Sequence, residues 1–349
     1  MKKKIKTLVL GSGIGGLATG AALKKAGEVD FLIFEGQDSL PLNLHNGVHY
    51  MHSINLDLPF GFDWKKIPLT EQIWWPSNKE WRDRANLQDI IEYSKKAMGV
   101  SQPNSIMSVG KTNEVWIPKS NNMNDLISSF EKYINNGNDH FVYGAWLESI
   151  DVKNNLAKFK SKDTEMEIEY ETIISTVPLN KMTGICKKDS KTDFNFQTIF
   201  IRNYQLEGVS PDWFINIYIP DPVLPYYRFS VLNKTLSIES TVKYDDTPAY
   251  TGMGQKDISA SGVLTVLFNF DPAKYSEYEW KTGKIVSISK DERSDYIDEF
   301  AKNNIYLLGR FGLWNRKLLM HSTIQQANEV VKYLKNGQTY ESLKENLLN

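Results

Sequence analysis

The chain has almost no cysteine: Cys186 is the single one in 349 residues. No disulfide can form within it, and the expectation is a cytoplasmic protein in a reducing compartment. It also lacks any apolar run long enough to span a bilayer, so no membrane partner is expected. The basic start, Met1 to Lys6, leads into an apolar run, Thr7–Leu10, that is too short for a signal peptide. An excess of either charge is missing too. Lys and Arg number 41 against 42 Asp and Glu, a formal net charge of −1, so no global field favours nucleic acid or an anionic surface. No metal site is expected. What is present is ordinary apolar content, many Trp and Tyr, and length enough for two domains or one large domain with an insertion. The aromatic residues suit a core, and also a pocket for a flat ligand.

The first segment is the most informative. Lys6–Leu10 reads as a buried strand, and Gly11-Ser-Gly13-Ile-Gly-Gly16 follows it. Leu17–Lys25 is rich in Ala, Leu and Lys and reads as a helix, which Gly27 can close. A second strand, Asp30–Phe34, ends in Glu35. In this frame Gly11 permits a tight turn, Gly13 admits a pyrophosphate close to the backbone, and Gly16 lets helix and strand pack closely. The helix N-terminus presents free N–H groups to the phosphates. Glu35 falls about 20 residues after the last glycine, where a carboxylate accepts a ribose hydroxyl. That acid argues against NADP and leaves NAD and FAD open.

Later segments narrow the choice. Val115–Pro118 is strand-like, and Met123–Ile134 is amphipathic at helical spacing. Phe141–Asp151, Leu156–Lys160 and Glu169–Pro178 read as strands returning to the nucleotide sheet. The end of that return, Ser175-Thr-Val-Pro-Leu179, is similar to the segment closing the FAD domain in flavin amine oxidases, protoporphyrinogen oxidases and UDP-galactopyranose mutases. Pro211–Asp221, then Leu224-Pro-Tyr-Tyr-Arg-Phe-Ser-Val-Leu-Asn233, resembles the mutases more closely, as does Ile305-Tyr-Leu-Leu-Gly-Arg-Phe-Gly-Leu-Trp314. Asn46-Gly-Val-His-Tyr-Met-His-Ser53 looks like a further mutase segment. These blocks run through almost the whole chain in the family's order.

The resemblance implies an α/β fold: a Rossmann-like FAD-binding domain built from discontinuous segments, an antiparallel-sheet substrate domain and a reduced helical insertion. The segments would be 1–60, 111–190 and 301–349 for FAD, 61–110 for the small helical insertion and 191–300 for the substrate sheet. FAD contacts are implied at Val142, Gly309, Arg310 and Ser322, beside Gly11, Gly13, Gly16 and Glu35. An arginine suits the pyrophosphate because its rigid fork donates two bonds. Ser322 and Gln325 fit a capping box that would start a helix aimed at the flavin. His49, Arg228 and His321 are the implied catalytic residues; Tyr226, Arg228, Trp314 and Arg316 would bind an anionic small substrate. Strand alternation puts Tyr226 and Arg228 on one face. Thr247–Ser261, rich in Gly, Asp, Ser and Thr, reads as a loop over the sheet.

The sequence also departs from the family. No Gly-Gly doublet follows Glu35, the substrate helices are mostly missing, and Asn315–His321 lacks the family's tyrosine, with His321 near the place of its aspartate. Three readings follow: a mutase-like flavoenzyme; a flavin-dependent amine oxidase, dehydrogenase or C–N lyase on another substrate, a modified nucleotide included; and a non-catalytic FAD protein.

Overall fold

The computed structural model of the chain describes residues 2–41, 49–101, 106, 109–111, 114–137, 139–162, 164–188, 192–210, 212–243 and 269–349. The expected loop at 247–261 lies outside them, as do residues 42–45 of the segment after Glu35 where the doublet is missing. In chain order the elements are β1 (Lys2–Leu10), α1 (Ile14–Lys25), β2 (Phe31–Phe34), β3 (Trp64–Trp75), β4 (Glu80–Arg82), α2 (Leu87–Met98), β5 (Glu114–Pro118) and α3 (Asn124–Asn135). Then come β6 (Phe141–Val142), β7 (Trp146–Asp151), β8 (Leu156–Lys160), β9 (Glu165–Ser175), α4 (Leu179–Ile185), β10 (Phe196–Glu207), β11 (Phe214–Tyr218), β12 (Tyr226–Leu232) and β13 (Thr235–Ser240). The chain ends with β14 (Asn269–Ile285), α5 (Lys290–Ala301), β15 (Ile305–Leu307), α6 (Gly309–Gly312), α7 (Met320–Asn336) and α8 (Tyr340–Leu348).

Two sheets organise these elements. The first has the order β6-β2-β1-β9-β8-β7. Its centre is parallel, β2 and β9 flanking β1, with β6 added beside β2. The long β9 serves two neighbours on its far side: antiparallel β8 along its first half and parallel β15 at its end. Every residue of β2 is buried, as continuous apolar runs are when helices cover both sheet faces. Helix α1 is buried from Gly15 to Leu23 because it lies between the sheet and both α3 and α7. The single strand expected over Phe141–Asp151 is split into β6 and β7. Gly144 N donates to Gln37 O and Ala145 N to Glu35 O, which ties the intervening chain to the end of β2.

The second sheet has the order β14-β10-β13-β12-β11-β3-β4, with β5 on the first half of β3. It is antiparallel except where β3 runs parallel to β11. The 61–110 segment is therefore more than a helical insertion: β3 and β4 enter the second sheet, with a single 3-10 turn at Pro76–Asn78 between them, and α2 follows. The buried positions of β3 alternate along Ile67, Leu69, Glu71 and Ile73, a strand period that the stronger helix beside it overshadows. Likewise β5, within the 111–190 segment, pairs with β3 rather than with the nucleotide sheet. One face of the second sheet packs Trp74, Ile217, Phe229 and Ile238 together; the other carries Ile73, Ile201, Tyr218 and Tyr227 against Ile90, Tyr93 and Ala97 of α2.

A buried acid ties the C-terminal part to the first strand. Glu28 follows α1 and takes ion pairs from Lys335 of α7 and from Lys6 of β1. Burial alone raises its pKa, but bonds from Lys335 and Lys6 outweigh that and hold it at about 2, against an ordinary 4.5. A depressed folded pKa contributes stability that is complete above the unfolded value and is lost as pH falls through about 2. Lys335→Met is therefore expected to raise the pH of acid unfolding, as followed by circular dichroism during acid titration.

Candidate functional site

The β1–α1 turn has the shape the glycines imply. Gly11 adopts φ +93°, a left-handed conformation, and a Cβ there would stand 2.4 Å from Thr176 Oγ1. Its N–H donates to Phe34 O, 2.8 Å. Gly13 is the N-cap of α1, and nothing lies within 4 Å of where its Cβ would be. That open space, in front of the N–H groups of the first helical turn, is what a phosphate needs. Glu35 stands at the end of β2. Its Oε2 accepts from Ser12 N (2.9 Å) and Ser12 Oγ (2.8 Å), and its Oε1 from Gln37 N (3.0 Å). The carboxylate thus braces the turn while keeping acceptor capacity for a hydroxyl. Val142 lies beside it on β6, its carbonyl accepting from Glu35 N.

A cleft of about 480 Å³ opens from this turn toward the second sheet. Its floor is Gly13, Ile14 and Gly15 of the turn with Thr176, Leu308, Gly309 and Arg310 beyond β9 and β15. Arg228, Glu239, Trp280 and Lys284 line it from the second sheet, and His49, Tyr50 and His52 from the loop before β3. The size is that of a small-molecule site, about 300–1,000 Å³. A second cavity of about 310 Å³ adjoins it, lined by Tyr93 and Met98 of α2, Tyr218 of β11, and Arg316 and Lys317. His52, Arg228, Lys284 and Arg310 line both.

Charge is the notable property of the junction. Arg228 and Glu239 are directly opposed on β12 and β13. Glu239 accepts from Arg228 Nε (2.9 Å), from Arg228 Nη2 and from Tyr227 Oη (2.5 Å). Burial pushes the Glu239 carboxyl up, but the charges of Arg228 and Lys284 with these bonds hold it below its ordinary value. Arg310 Nε donates to Leu318 O (3.0 Å), and burial, then Arg228 and Arg316, lower its pKa. Arg316 donates Nη1 to Met98 Sδ, and its backbone N–H to Ser287 Oγ. Among the described residues, Glu239 is the one carboxylate lining either cavity, against Arg228, Lys284, Arg310, Arg316 and Lys317.

Other expected residues are placed differently. Ser322 is not an N-cap: α7 begins at Met320 behind Leu319, so Ser322 falls in the first turn and the capping box with Gln325 does not form. Thr323, one residue on, lines the cleft instead. The same helix holds the Gly-Arg turn by Gln326, whose Oε1 accepts from Gly309 N at 3.1 Å. Trp314, expected to bind substrate, lies in the core. It is fully buried, 5.1 Å from the ring of Phe194, and lines neither cavity. Tyr226 does not share the face of Arg228. A pairing irregularity between the two breaks the alternation, and Tyr226 packs against Phe229 in the opposite cluster while Tyr227 joins Arg228 at Glu239. His321 also lines neither cavity; its ring lies 6.4 Å from that of His52, and burial lowers its pKa. His49 lines the cleft, 5.9 Å from the Trp280 ring. Sequence reasoning missed Glu239 and Lys284. The signal for Glu239 was an acid in an otherwise buried strand, Leu236–Ser240; Lys284 sits in a strand of mixed polar residues that offers none.

No protein-family model and no curated protein sequence matches the chain. Solved structures do. One is a reduced UDP-galactopyranose mutase, TM-score 0.71 at 13% identity, covering 97% of this chain and 96% of that one. A second is a putative protoporphyrinogen oxidase from Exiguobacterium sp., TM-score 0.63 at 10% identity over 96% and 99%. A third is a fatty acid isomerase from P. acnes that produces CLA, TM-score 0.60 at 12% identity over 94% and 98%. The chain has a Rossmann-like fold of the FAD-binding type. Within that fold the cleft occupies the place where the parallel strands end and the second sheet begins. No helix among the described residues is long and apolar enough to cross a membrane.

Proposed function

We propose that this chain is a FAD-dependent enzyme acting on a small anionic substrate, with redox-neutral chemistry on a nucleotide-sugar-like molecule as its first form. One observation carries the reading: the cleft that starts at the glycine-rich turn runs into a cluster of basic side chains with, among the described residues, a single carboxylate. The likeness to the mutase structure supports the same choice. The open space at Gly13, the N–H groups of α1 and Arg310 would hold the cofactor's pyrophosphate, and Glu35, beside Val142, its ribose. Bound there, a flavin supplies a ring nitrogen that can act as nucleophile or take up a hydride. Arg228 and Arg316 would bind the substrate's anionic group and orient it. Tyr93 and Tyr218 line the far wall. His49, which lines the cleft, would exchange a proton there.

The purified protein is expected to be yellow, with a flavin absorption spectrum, and its reduced form to bind UDP-galactose. A colourless protein that stays colourless with added FAD would sink the reading. Arg310→Met removes a charge-assisted bond worth about 1.5–3 kcal/mol, so flavin affinity is expected to fall about tenfold to a hundredfold, measured by equilibrium dialysis. The second reading is an oxidase or dehydrogenase for another anion. It is favoured by Asn315–His321, where Trp314 is turned into the core and no tyrosine follows. Oxygen consumption on turnover would select it.

A further inference from the structure

Lys284 stands where the two cavities meet and lines both. It keeps 24% of its side-chain surface accessible. Its one ion-pair partner among the described residues is Glu239 Oε2 at 4.0 Å, and that oxygen already accepts from Tyr227. The other carboxylate oxygen is taken by Arg228. The ammonium lies 5.0 Å from the Tyr227 ring of β12, and the cavities it lines are shared with Arg228 of β12, Arg310 of α6, Arg316 and Lys317 from the chain after it, Tyr218 of β11, Tyr93 of α2, and His49, Tyr50 and His52 from the loop before β3.

Even with Arg310 taken by the cofactor's pyrophosphate, one carboxylate among the described residues faces Arg228, Arg316, Lys317 and Lys284 across the two cavities. A guanidinium does not give up its proton under these conditions; a lysine does. Burial, then repulsion from Arg228, brings the Lys284 amine to about 7, against an ordinary 10.5. An entering phosphate group reverses the balance, since it adds the missing negative charge and accepts a charge-assisted bond.

We propose that Lys284 loses its proton above neutral pH in the substrate-free protein and regains one from solvent when a phosphate-bearing anion enters the cavities, so that anion binding and proton uptake are coupled. The step is a protonation of Nζ alone; no other bond is made or broken. It rests on the reading of the cleft as an anion site.

The test is calorimetric titration of the flavin-loaded protein with UDP at about pH 8, where both phosphates are fully ionised and the lysine is mostly neutral. Comparing buffers of different ionisation enthalpy counts the protons. Uptake close to one proton per UDP is expected, with affinity falling about tenfold per pH unit above neutrality. Lys284→Met should lose both the uptake and the pH dependence. Lys284→Arg, which stays charged, should bind UDP without uptake and guards against a folding defect in the first variant. Binding without uptake in the wild type overturns the role of Lys284 but leaves the anion site standing. Uptake that survives in both variants overturns it too and assigns the proton to His52 or His321. No UDP binding at any pH overturns the anion-site reading itself, and the coupling with it.

Discussion

Gly16→Ala is expected to abolish flavin binding and to cost about 3 kcal/mol of stability or more. A Cβ at Gly16 would lie 1.8 Å from Gly11 O and 2.9 Å from Gly11 C, both backbone atoms of the turn that the helix must pack against. Backbone cannot rotate away as a side-chain tip can. Either α1 lifts off β1, or the turn opens. Lifting α1 disturbs Leu17, Ala18 and Ala21, which are buried between the sheet, α3 and α7. Opening the turn moves Gly11, whose N–H is held by Phe34 O, and Ser12, whose N–H and hydroxyl are held by Glu35. Each route also dismantles the phosphate-facing end of the helix. Gly13→Ala is the control. Its Cβ meets nothing within 4 Å, so the fold should lose only about 1 kcal/mol or less, while the cofactor, whose pyrophosphate that space would admit, is bound more weakly. Urea unfolding of the flavin-free proteins separates the two substitutions. Equal stability losses for both would show that the close approach at Gly16 does not govern the turn.

Glu239→Ala is the second large effect, an expected loss of about 3–5 kcal/mol. Glu239 is 1% exposed, and it is the partner of Arg228 on the opposing strand and of Tyr227 beside it. Removing it leaves the Arg228 charge without its acid, next to Arg310 and Lys284. The cost is the stranded cation more than the lost bond. A double-mutant cycle with Arg228→Gln should recover much of the loss, because both charges then leave together. The pH dependence follows from the depressed Glu239 pKa. Such a carboxylate stabilises the fold above its unfolded pKa, and the contribution is lost as pH falls through the folded value. Glu239→Gln should therefore flatten the stability profile on the acid side, and an unchanged profile would remove Glu239 from the acid response. Substrate affinity should rise or hold in Glu239→Gln, since the cavity becomes more positive, even as stability falls.

Local patterning carried much of the architecture. The run from Lys6 to Glu35 specifies strand, tight turn, helix and strand because each step is short-range: aliphatic β-branched residues, then glycines, then helix formers, then an acid at a fixed distance. The amphipathic spacing of α2 and α3 and the alternation of β8 are legible for the same reason. Gly309 and Arg310, which the family resemblance implies as cofactor contacts, line the cleft.

Tertiary structure alone decided the charged junction. Arg228, Glu239 and Lys284 come from three strands, and what joins them is the register of β12 on β13 and the path of β14 across β10. Register is a non-local property, set by which strands pair and where irregularities fall. The irregularity after Tyr226 removed that residue from the face its alternation assigns, and put Tyr227 on the acid. Trp314 shows the same limit: an indole beside a cofactor motif reads as a ligand contact, but a space between Phe194 and Phe196 takes it into the core. A sequence records side-chain period and turn chemistry along one strand or helix. Which side chains share a cavity depends on how two sheets meet, and that is determined only when the whole chain has packed.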